Sequence, residues 1–378
     1  MRDGLYTAIG LMSGTSLDGI DAAILVTDGE TVTEFGPAIS IPYDVKFKSR
    51  LKKAVARAAD LIGQRDGAED PVTLELELDL TEAHGRAVRA VLDKAGMGPG
   101  EIDLIGFHGQ TLCHAPEGGL TWQLGDGSQL AGTTGIDVVD DFRNNDMAAG
   151  GEGAPLAPVY HLAAVRGRTP HKRILVLNIG GVANLTWIDF TGDQPQMLAF
   201  DTGPGNALVD DWMYRRTGRA FDAGGKVARR GRIDHQRIEL ALQDAYFDRP
   251  APKSLDRNAF SLKIVEGLNL EDGAATLAAL TTAAVKRACA LLPAAPETCF
   301  VAGGGRHNPV LMAGLQEALS LPVQPVEAIG LRGDSLEAEL MAFLAVRSLR
   351  GLPITFPETT GVKLPCTGGR LHRVPGNL

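Results

Sequence analysis

The feature that most constrains the fold is a glycine-rich turn between two apolar runs near the start of the chain. The turn reads GLMSGTSLDG over residues 10–19, and the runs at 5–9 and 20–26 have the composition of paired strands. Its three glycines leave the backbone free to curl, which allows consecutive N–H groups to point at one anion. The segment therefore predicts a β-hairpin whose turn is able to bind an anion.

Two acidic residues narrow what this turn can bind. Asp18 and Asp21 fit beside a phosphate only if a divalent cation lies between them. A nucleotide triphosphate with magnesium satisfies every residue type in the turn. An ordinary glycine-rich hairpin explains the segment equally well, and this segment alone does not separate the two interpretations.

Two later segments favour the nucleotide. Residues 173–188 repeat the order strand, glycine turn, strand, with Gly180 and Gly181 in the turn. The three glycines 303–305 join a short strand to a helix for which Asn308 suits the N-cap, and a helix N-terminus favours anions. This layout resembles the actin-like, sugar-kinase ATPase fold. The resemblance implies two related α/β (ribonuclease H-like) domains with a nucleotide cleft between them, each presenting a hairpin to the phosphates, and a late turn that holds adenosine.

The length of 378 residues also favours two domains, because single cores rarely exceed about 250–300 residues. The polar, basic stretch 166–173 is the best candidate boundary. We expect a first domain at 1–168 and a second at 169–378. The resemblance to the actin-like fold implies that a last helix near 334–349 packs back onto the first domain.

Composition excludes several classes of partner. The net charge of −9 argues against binding to nucleic acid or to an anionic membrane surface. The four cysteines include no CxxC pair, which is typical of reduced thiols in the cytoplasm. The longest apolar stretch, 273–285, is shorter than the roughly 20 residues that span a bilayer. We therefore expect a soluble, cytoplasmic protein.

Apolar periodicity predicts the remaining elements. The predicted strands lie at 31–41, 102–107, 122–124, 136–139 and 197–200. The predicted helices lie at 45–61, 72–95, 128–133, 207–216, 227–246, 261–268 and 274–292.

Asp201 is the candidate catalytic residue. It follows the predicted strand 197–200 within FDTGPGN, and ligands of α/β sheets gather at the carboxyl ends of strands. At such a place a carboxylate can act as a general base. An Asp before Gly also commonly caps a turn, which is the alternative.

Two polar clusters are candidate sugar ligands. His108, Gln110 and His114 are expected on the loop after the predicted strand 102–107, and Arg143 and Asp146 on a second loop. Mixed donors and acceptors suit sugar hydroxyls, and an arginine can bind a carboxylate with two hydrogen bonds. A single histidine on a loop is more often a surface residue than a ligand, so each residue alone is weak support for a sugar site. No HxxxH or HExxH spacing favours a metal.

Two rival nucleotide motifs are absent. Gly224-Gly-Lys226 precedes Val227, and Ala220 stands where a Walker A motif requires glycine. Gly203-Pro-Gly205 lacks the rest of a GxGxxG fingerprint, so a dinucleotide oxidoreductase is disfavoured.

The ordered motifs resemble those of the anhydro-N-acetylmuramic acid kinases over essentially the whole chain. They are GLMSGTSLDGID (10–21), HGQT (108–111), WQLGDG (122–127), DFRNNDMAAGGEGAPL (141–156), NIGGVANLT (178–186), FDTGPGN (200–206) followed by DDW (210–212), GGGRHN (303–308) and DSLEA (334–338). The resemblance implies that a water activated by Asp201 attacks C1 of 1,6-anhydro-N-acetylmuramic acid and opens its internal bridge. O6 then takes the γ-phosphoryl group of ATP, which gives N-acetylmuramic acid 6-phosphate and ADP in peptidoglycan recycling.

The resemblance also assigns roles by position. Nucleotide contacts fall on Gly14, Thr15, Ser16, Leu17, Asp18, Gly19, Asp21, Gly180, Gly181, Gly203, Gly205, Asn206, Gly303, Gly304, Gly305 and Asn308. Sugar contacts fall on His108, Gln110, Arg143, Asp146 and Glu337. The implied cofactors are ATP and Mg²⁺, with Asp18 or Asp21 near the metal through a water and Asp18 as the assigned metal residue. Glu152 replaces the Gln common in the family, and its charge would repel the substrate carboxylate if it faced the sugar.

Two other functions stay open. One is a kinase for another amino or acidic sugar, since sugar contacts lie on variable loops. The other is a non-catalytic actin-like or chaperone-like nucleotide-binding module, because the fold also hosts such proteins. The expected partner is a small-molecule sugar, without nucleic acid or membrane, and a homodimer is compatible with the sequence.

Overall fold

The chain forms two compact units. The computed structural model describes residues 4–14, 16–61, 70–255, 257 and 259–376. The first unit combines Met1–Ala164 with Ser335–Leu378, and the second is Val165–Asp334. The division falls four residues before the expected position 168, and the segment from 335 onward belongs to the first unit.

Twelve strands and eleven helices make up the described part of the chain. The strands are β1 (Tyr6–Ser13), β2 (Gly19–Thr27), β3 (Val32–Pro42), β4 (Leu104–Ala115), β5 (Leu120–Leu124), β6 (Val138–Asp140), β7 (Arg173–Ile179), β8 (Val182–Asp189), β9 (Gln196–Pro204), β10 (Thr298–Ala302), β11 (Val323–Pro325) and β12 (Arg370–His372). The helices are α1 (Val45–Leu61), α2 (Pro71–Ala95), α3 (Gly127–Thr134), α4 (Asn144–Ala148), α5 (Pro158–Val165), α6 (Ala207–Thr217), α7 (His235–Ala241), α8 (Leu270–Cys289), α9 (Pro309–Leu319), α10 (Leu336–Leu349) and α11 (Pro357–Thr360).

The two sheets share one topology. In the first unit β1, β2 and β3 form an antiparallel meander, and β4 and β6 continue the sheet parallel to β1. In the second unit β7, β8 and β9 form the meander, and β10 and β11 continue parallel to β7. β12 and β5 are additions to the first sheet. The five main strands lie in the order β3-β2-β1-β4-β6 in the first sheet and β9-β8-β7-β10-β11 in the second, so both sheets have the same order when strands are counted within each unit. This repetition confirms the predicted α/β class with two actin-like, ribonuclease H-like units.

Gly10 serves helix packing in the first unit. A Cβ on Gly10 would lie 1.7 Å from the carbonyl oxygen of Ala338, and one on Gly106 would lie 2.0 Å from that of Met341. Because both positions lack side chains, α10 packs directly on the backbone of β1 and β4. The expectation that Gly10 loosens the hairpin turn is therefore wrong, since it lies inside β1.

The core of the second unit forms around α8. Trp187, Phe200 and Leu277 are each at most 2% exposed and belong to one apolar cluster. Asn269 caps the N-terminus of α8 through a side-chain bond from the N–H of Asp272 at 2.8 Å. Burial of this cluster holds β7, β8 and β9, which carry the candidate residues of the second unit.

Two predicted helices of the second unit are wrong. In place of 227–246 the chain forms a 3₁₀ turn, then α7, then a second 3₁₀ turn at Ala245–Asp248. A Cβ on Gly231 would lie 2.0 Å from the carbonyl oxygen of Glu271, so the chain passes too close to α8 for a continuous helix. Asp234 and Asp244 cap new turns, and 261–268 contains only the 3₁₀ turn Leu262–Val265. Among the described residues, no helix is long and apolar enough to cross a membrane.

Candidate active site

The β1–β2 turn is fixed by a buried leucine. Leu17 has a left-handed backbone, with φ of 56°, and its side chain is 6% exposed in a cluster that includes Leu51 and Leu80. Ser16 and Asp18, on either side of it, are exposed. Burial of Leu17 offsets the cost of its backbone conformation and leaves the two polar neighbours accessible. Thr15 lies outside the described residues.

The side-chain amide of Gln110 holds this turn through hydrogen bonds. Its Oε1 accepts a hydrogen bond from Ser13 Oγ at 2.6 Å, and its Nε2 donates to the carbonyl oxygen of Gly14 at 3.3 Å. Gln110 is fully buried. The hydroxyl groups of Ser13 and Tyr43 are also hydrogen-bonded, at 2.7 Å. The structure thus places Gln110 where it holds the backbone of the candidate phosphate turn.

The predicted loop after 102–107 is a strand. His108, Gln110 and His114 all lie within β4, which ends at Ala115. The strand continues because β4 changes partner: it pairs with β1 as far as Gln110 and with β5 from Gln110 onward. Strand pairing along β4 therefore fixes the backbone from which His108, Gln110 and His114 project.

His108 and Arg143 form a buried pair. His108 Nδ1 donates to the carbonyl oxygen of Gly109 at 2.9 Å, and its Nε2 accepts from Arg143 Nε and Nη2 at 3.2 and 3.0 Å. Burial, followed by the charge of Arg143, lowers the pKa of His108 to about 3. His108 is therefore neutral at physiological pH, and these bonds assign its tautomer. Arg143 Nη1 donates to the carbonyl oxygen of Gly153 at 2.7 Å.

Arg143 also belongs to a group of charges. Desolvation lowers the pKa of Arg143 to about 10, against the opposing influence of Glu337 and Asp146. Desolvation raises the pKa of Glu337, repulsion from Asp21 adds to this, and Arg143 acts in the opposite sense. The charges of Asp21 and Arg143 thus both influence the pKa of Glu337 within the first unit, although the three residues lie far apart in the sequence.

The Asp146 carboxylate forms hydrogen bonds inside the fold. It is 1% exposed, and its carboxylate accepts from the N–H of Gly153 and from Thr360 Oγ1, both at 2.6 Å. The N–H of Glu152 donates to the carbonyl oxygen of Thr360 at 2.8 Å. Asp146 therefore positions the segment that carries Gly153, the acceptor of Arg143, and its direct contact with a sugar stays a prediction.

In the second unit the Gly180–Gly181 turn caps α6. The carbonyl oxygen of Gly181 accepts from the N–H of Gly205 at 2.9 Å, and that of Gly180 accepts from the N–H of Asn206 at 2.8 Å. Asn206 Nδ2 donates to the carbonyl oxygen of Ile179 at 3.0 Å. The N–H groups of Gly205 and Asn206 and the side-chain amide of Asn206 are thus all hydrogen-bonded within the unit, and they hold the Gly180–Gly181 turn in place.

Two further glycines of this region allow close packing. A Cβ on Gly203 would lie 2.9 Å from Cβ of Ala284 in α8. A Cβ on Gly205 would lie 2.4 Å from the carbonyl oxygen of Gly180. A contact of either glycine with nucleotide stays a prediction.

Asp201 lies within β9. The prediction that the strand ends at Phe200 is wrong, because β9 pairs with β8 as far as Pro204 across a bulge at Ala183 and Asn184. The half-buried Asp201 accepts a hydrogen bond at Oδ2 from the N–H of Leu255 at 2.8 Å. The carboxylate is therefore oriented by a segment more than fifty residues later in the chain.

The glycines 303–305 lie against the end of β7. Gly303 has φ of 72°, and a Cβ there would lie 2.4 Å from Asn178 Oδ1. A Cβ on Gly305 would lie 2.5 Å from Cβ of Ile179, whereas one on Gly304 would meet nothing nearer than 3.8 Å. The second unit thus brings the predicted adenosine turn beside the Gly180–Gly181 turn.

Two side chains fix this turn. Arg306, 8% exposed, donates to the carbonyl oxygen of Gly303 at 2.9 Å, and also to Glu327 at 2.9 Å and Asp334 at 2.6 Å. Asn308 Oδ1 accepts from the N–H of Val310 at 3.0 Å, as its predicted role as a cap requires.

Comparison with known proteins places the chain in a family. The model of the anhydro-N-acetylmuramic acid kinase family matches residues 6–373. The chain belongs to this family. It is 52% identical over 367 residues to the anhydro-N-acetylmuramic acid kinase of Rhodospirillum rubrum, covering 97% of this chain and 94% of that one. It is 50% identical to the enzyme of the same name from Acidiphilium cryptum, covering 98% of each. Among solved structures it is similar to component A of (R)-2-hydroxyglutaryl-CoA dehydratase from Acidaminococcus fermentans, at 12% identity and a TM-score of 0.44, covering 90% of this chain and 99% of that one.

Membership of the anhydro-N-acetylmuramic acid kinase family makes the chain an enzyme, and the structure adds one residue, Arg257, that sequence reasoning missed. Arg257 Nη1 would lie 3.9 Å from a Cβ on Gly181, and its Nη2 lies 3.4 Å from Asp211 Oδ1. Desolvation raises the pKa of Asp210 to about 7, with Arg257 opposing and Asp211 adding repulsion. Asp210 and Asp211 belong to the motif DDW (210–212), which follows FDTGPGN after three residues, whereas no pattern singles out Arg257.

Proposed function

We propose that this chain phosphorylates 1,6-anhydro-N-acetylmuramic acid with ATP while water opens the anhydro bridge, giving N-acetylmuramic acid 6-phosphate and ADP. The observation that carries the proposal is the Asp201 carboxylate, which accepts a hydrogen bond from the N–H of Leu255 in a chain of this kinase family. The bridge oxygen carries no proton that a base could remove, so the base has to act on water. Asp201 accepts that proton as the water attacks C1.

Arg143 is proposed to bind the lactyl carboxylate of the sugar. Three of its five N–H groups donate to His108 and Gly153. The remaining two, one on each terminal nitrogen, have no acceptor in the described part of the chain. Two N–H groups on one guanidinium match the geometry of a carboxylate. Neutral His108 holds the guanidinium without adding charge of its own, and Glu337 is proposed to contact a sugar hydroxyl.

The β1–β2 turn is proposed to bind the phosphates of ATP. Ser16 and Asp18 are exposed on a turn that Leu17 and Gln110 hold in place. Across the described residues, no cluster of three or more His, Cys, Asp or Glu is arranged to hold a metal. Mg²⁺ commonly binds through one carboxylate, waters and substrate phosphates, a set that Asp18 fits. Bound Mg²⁺ would neutralise charge on the transferred phosphoryl group.

Replacement of Asp201 tests this mechanism. Asp201→Asn keeps the shape and the bond from Leu255 but removes the base, so sugar-dependent ADP release is expected to fall by at least about 10²-fold. Asp193→Asn, at an exposed position of the same unit, is the matched control. ATP binding by calorimetry should be unchanged in both variants. Turnover by Asp201→Asn equal to that of the control would remove Asp201 from the mechanism.

The two alternatives give different results in the same assay. A kinase for another amino or acidic sugar would release ADP with that sugar and not with the anhydro sugar. A non-catalytic module would bind ATP without sugar-dependent turnover. Cytoplasmic location, a homodimer and a role in peptidoglycan recycling stay predictions.

A further inference from the structure

A buried lysine lies beside Asp201 and has no part in the proposed chemistry. Lys253 is 2% exposed, and its Nζ donates to the backbone carbonyl oxygens of Tyr246 and Phe247 at 2.9 and 3.1 Å. Nζ also lies 4.6 Å from the ring centroid of Tyr246 and 5.7 Å from that of Phe200. Within the described residues, no carboxylate hydrogen-bonds to this ammonium group. Burial of a charge without a paired carboxylate costs free energy. The contribution of Lys253 therefore lies in the backbone carbonyl oxygens that its ammonium group binds.

Lys253 closes a ring of hydrogen bonds around Asp201. The N–H of Asp201 donates to the carbonyl oxygen of Lys253 at 2.9 Å, and the hydroxyl of Tyr246 donates to the carbonyl oxygen of Asp201 at 2.5 Å. The ammonium group of Lys253 completes the ring through the carbonyl oxygen of Tyr246. Two residues further on, Leu255 holds the Asp201 carboxylate.

The position of β9 explains why Asp201 needs this support. β9 is the edge strand of its sheet and pairs with β8 on one side. An edge strand leaves backbone groups on its outer side without a strand partner. Tyr246 and Lys253 fill that role at Asp201, and the ammonium group ties their two segments together.

We infer that Lys253 is a positioning residue which, through Tyr246 and the backbone of 253–255, fixes the Asp201 carboxylate in the orientation that activates water. The inference rests on the proposed function, because the base role of Asp201 gives that orientation its value. Loss of the ammonium group leaves two buried carbonyl oxygens without their donor and frees the segment that carries Leu255. A displacement of about 1 Å at a catalytic group can cost about 10²-fold in rate.

Lys253→Met is the direct test, with Lys263→Met at an exposed position as the matched control. Methionine has a similar length and no charge. We expect kcat to fall about 10–100-fold while KM for ATP and sugar stays within about twofold, since only the base is displaced. The two carbonyl oxygens left without a donor should also lower the thermal midpoint, so kcat is measured well below it. A purely structural lysine would lower the midpoint and leave kcat of the folded enzyme unchanged.

A double-mutant cycle separates this inference from the proposed function. If Lys253 acts through Asp201, the pair Asp201→Asn with Lys253→Met should be no slower than Asp201→Asn alone. Additive losses, or a kcat for Lys253→Met equal to that of the control, would overturn the inference while the base role stands. Full activity of Asp201→Asn would instead overturn the base role.

If Lys253→Met does not fold, a second variant tests the same inference. Tyr246→Phe removes only the hydroxyl that donates to Asp201, and Tyr214→Phe, at an exposed position, is its control. Loss of one hydrogen bond of this kind predicts a kcat about 3–10-fold lower at unchanged KM. An unchanged kcat would overturn the inference.

Discussion

Three histidines of the first unit are buried as neutral side chains, which makes the stability of this unit depend on pH. His84, His108 and His161 are 0%, 4% and 2% exposed. Burial lowers their pKa values from 6.5 to about 4, 3 and 4. Below pH 6.5 the unfolded chain binds a proton at each of these positions that the folded unit does not bind. The stabilisation is therefore fully present above pH 6.5 and is lost as the pH falls toward about 4.

The size of the effect follows from these values. Between pH 7.5 and 5.5, each histidine should lower the free energy of unfolding by about 1.3 kcal/mol, or about 4 kcal/mol for the three. Other groups also titrate in this range, so His84→Leu isolates one contribution. Its Nδ1 is hydrogen-bonded to the carbonyl oxygen of Leu80, and its Nε2 is buried with no partner among the described residues.

Urea unfolding at the two pH values measures the difference. His84→Leu should lose about 1.3 kcal/mol less stability than the natural chain between pH 7.5 and 5.5. Equal losses in both proteins would show that His84 is protonated in the folded unit or is not buried, and would refute the reasoning.

Three further outcomes follow from the described contacts. Gly10→Ala places a Cβ 1.7 Å from a backbone oxygen of α10 and should cost about 1–3 kcal/mol or more, whereas Gly100→Ala, with open space around it, should be nearly neutral by thermal unfolding. Gln110→Ala removes a support of the β1–β2 turn and should raise KM for ATP about tenfold, roughly 1.4 kcal/mol; an unchanged KM would separate this turn from nucleotide binding. EDTA should abolish ADP release and excess Mg²⁺ should restore it, while activity that persists in EDTA would contradict the role of the metal.

Local pattern was enough to predict most of the first unit. Two apolar runs gave β2 to within one residue of its bounds and the start of β1, which continues four residues beyond the predicted end at Ile9, and the amphipathic pattern gave α1 with the bounds that the structure shows. These elements are determined by residues close together in the sequence. The helix predicted at 227–246 failed because Gly231 must pass the backbone of α8, which is a contact that no local window contains.

The sequence identified candidate site residues but not the contacts that hold them in the fold. Asp146 carries a carboxylate suited to a sugar, yet its partner Thr360 lies 214 residues away and engages it inside the fold. His108 looked like a loop residue because the exchange of strand partners along β4 is set by β5. The ring around Asp201 joins residues about fifty positions apart, so only the folded chain shows it.

The most direct test of the central claim is ADP release with ATP and Mg²⁺ in the presence of 1,6-anhydro-N-acetylmuramic acid, N-acetylmuramic acid or N-acetylglucosamine. The account predicts turnover with the anhydro sugar alone, and a product that carries a 6-phosphate and an opened bridge. Turnover with the open sugars and not with the anhydro sugar would contradict it, because Asp201 would then act on a hydroxyl group and not on water. Silence with all three sugars would contradict the proposed activity itself.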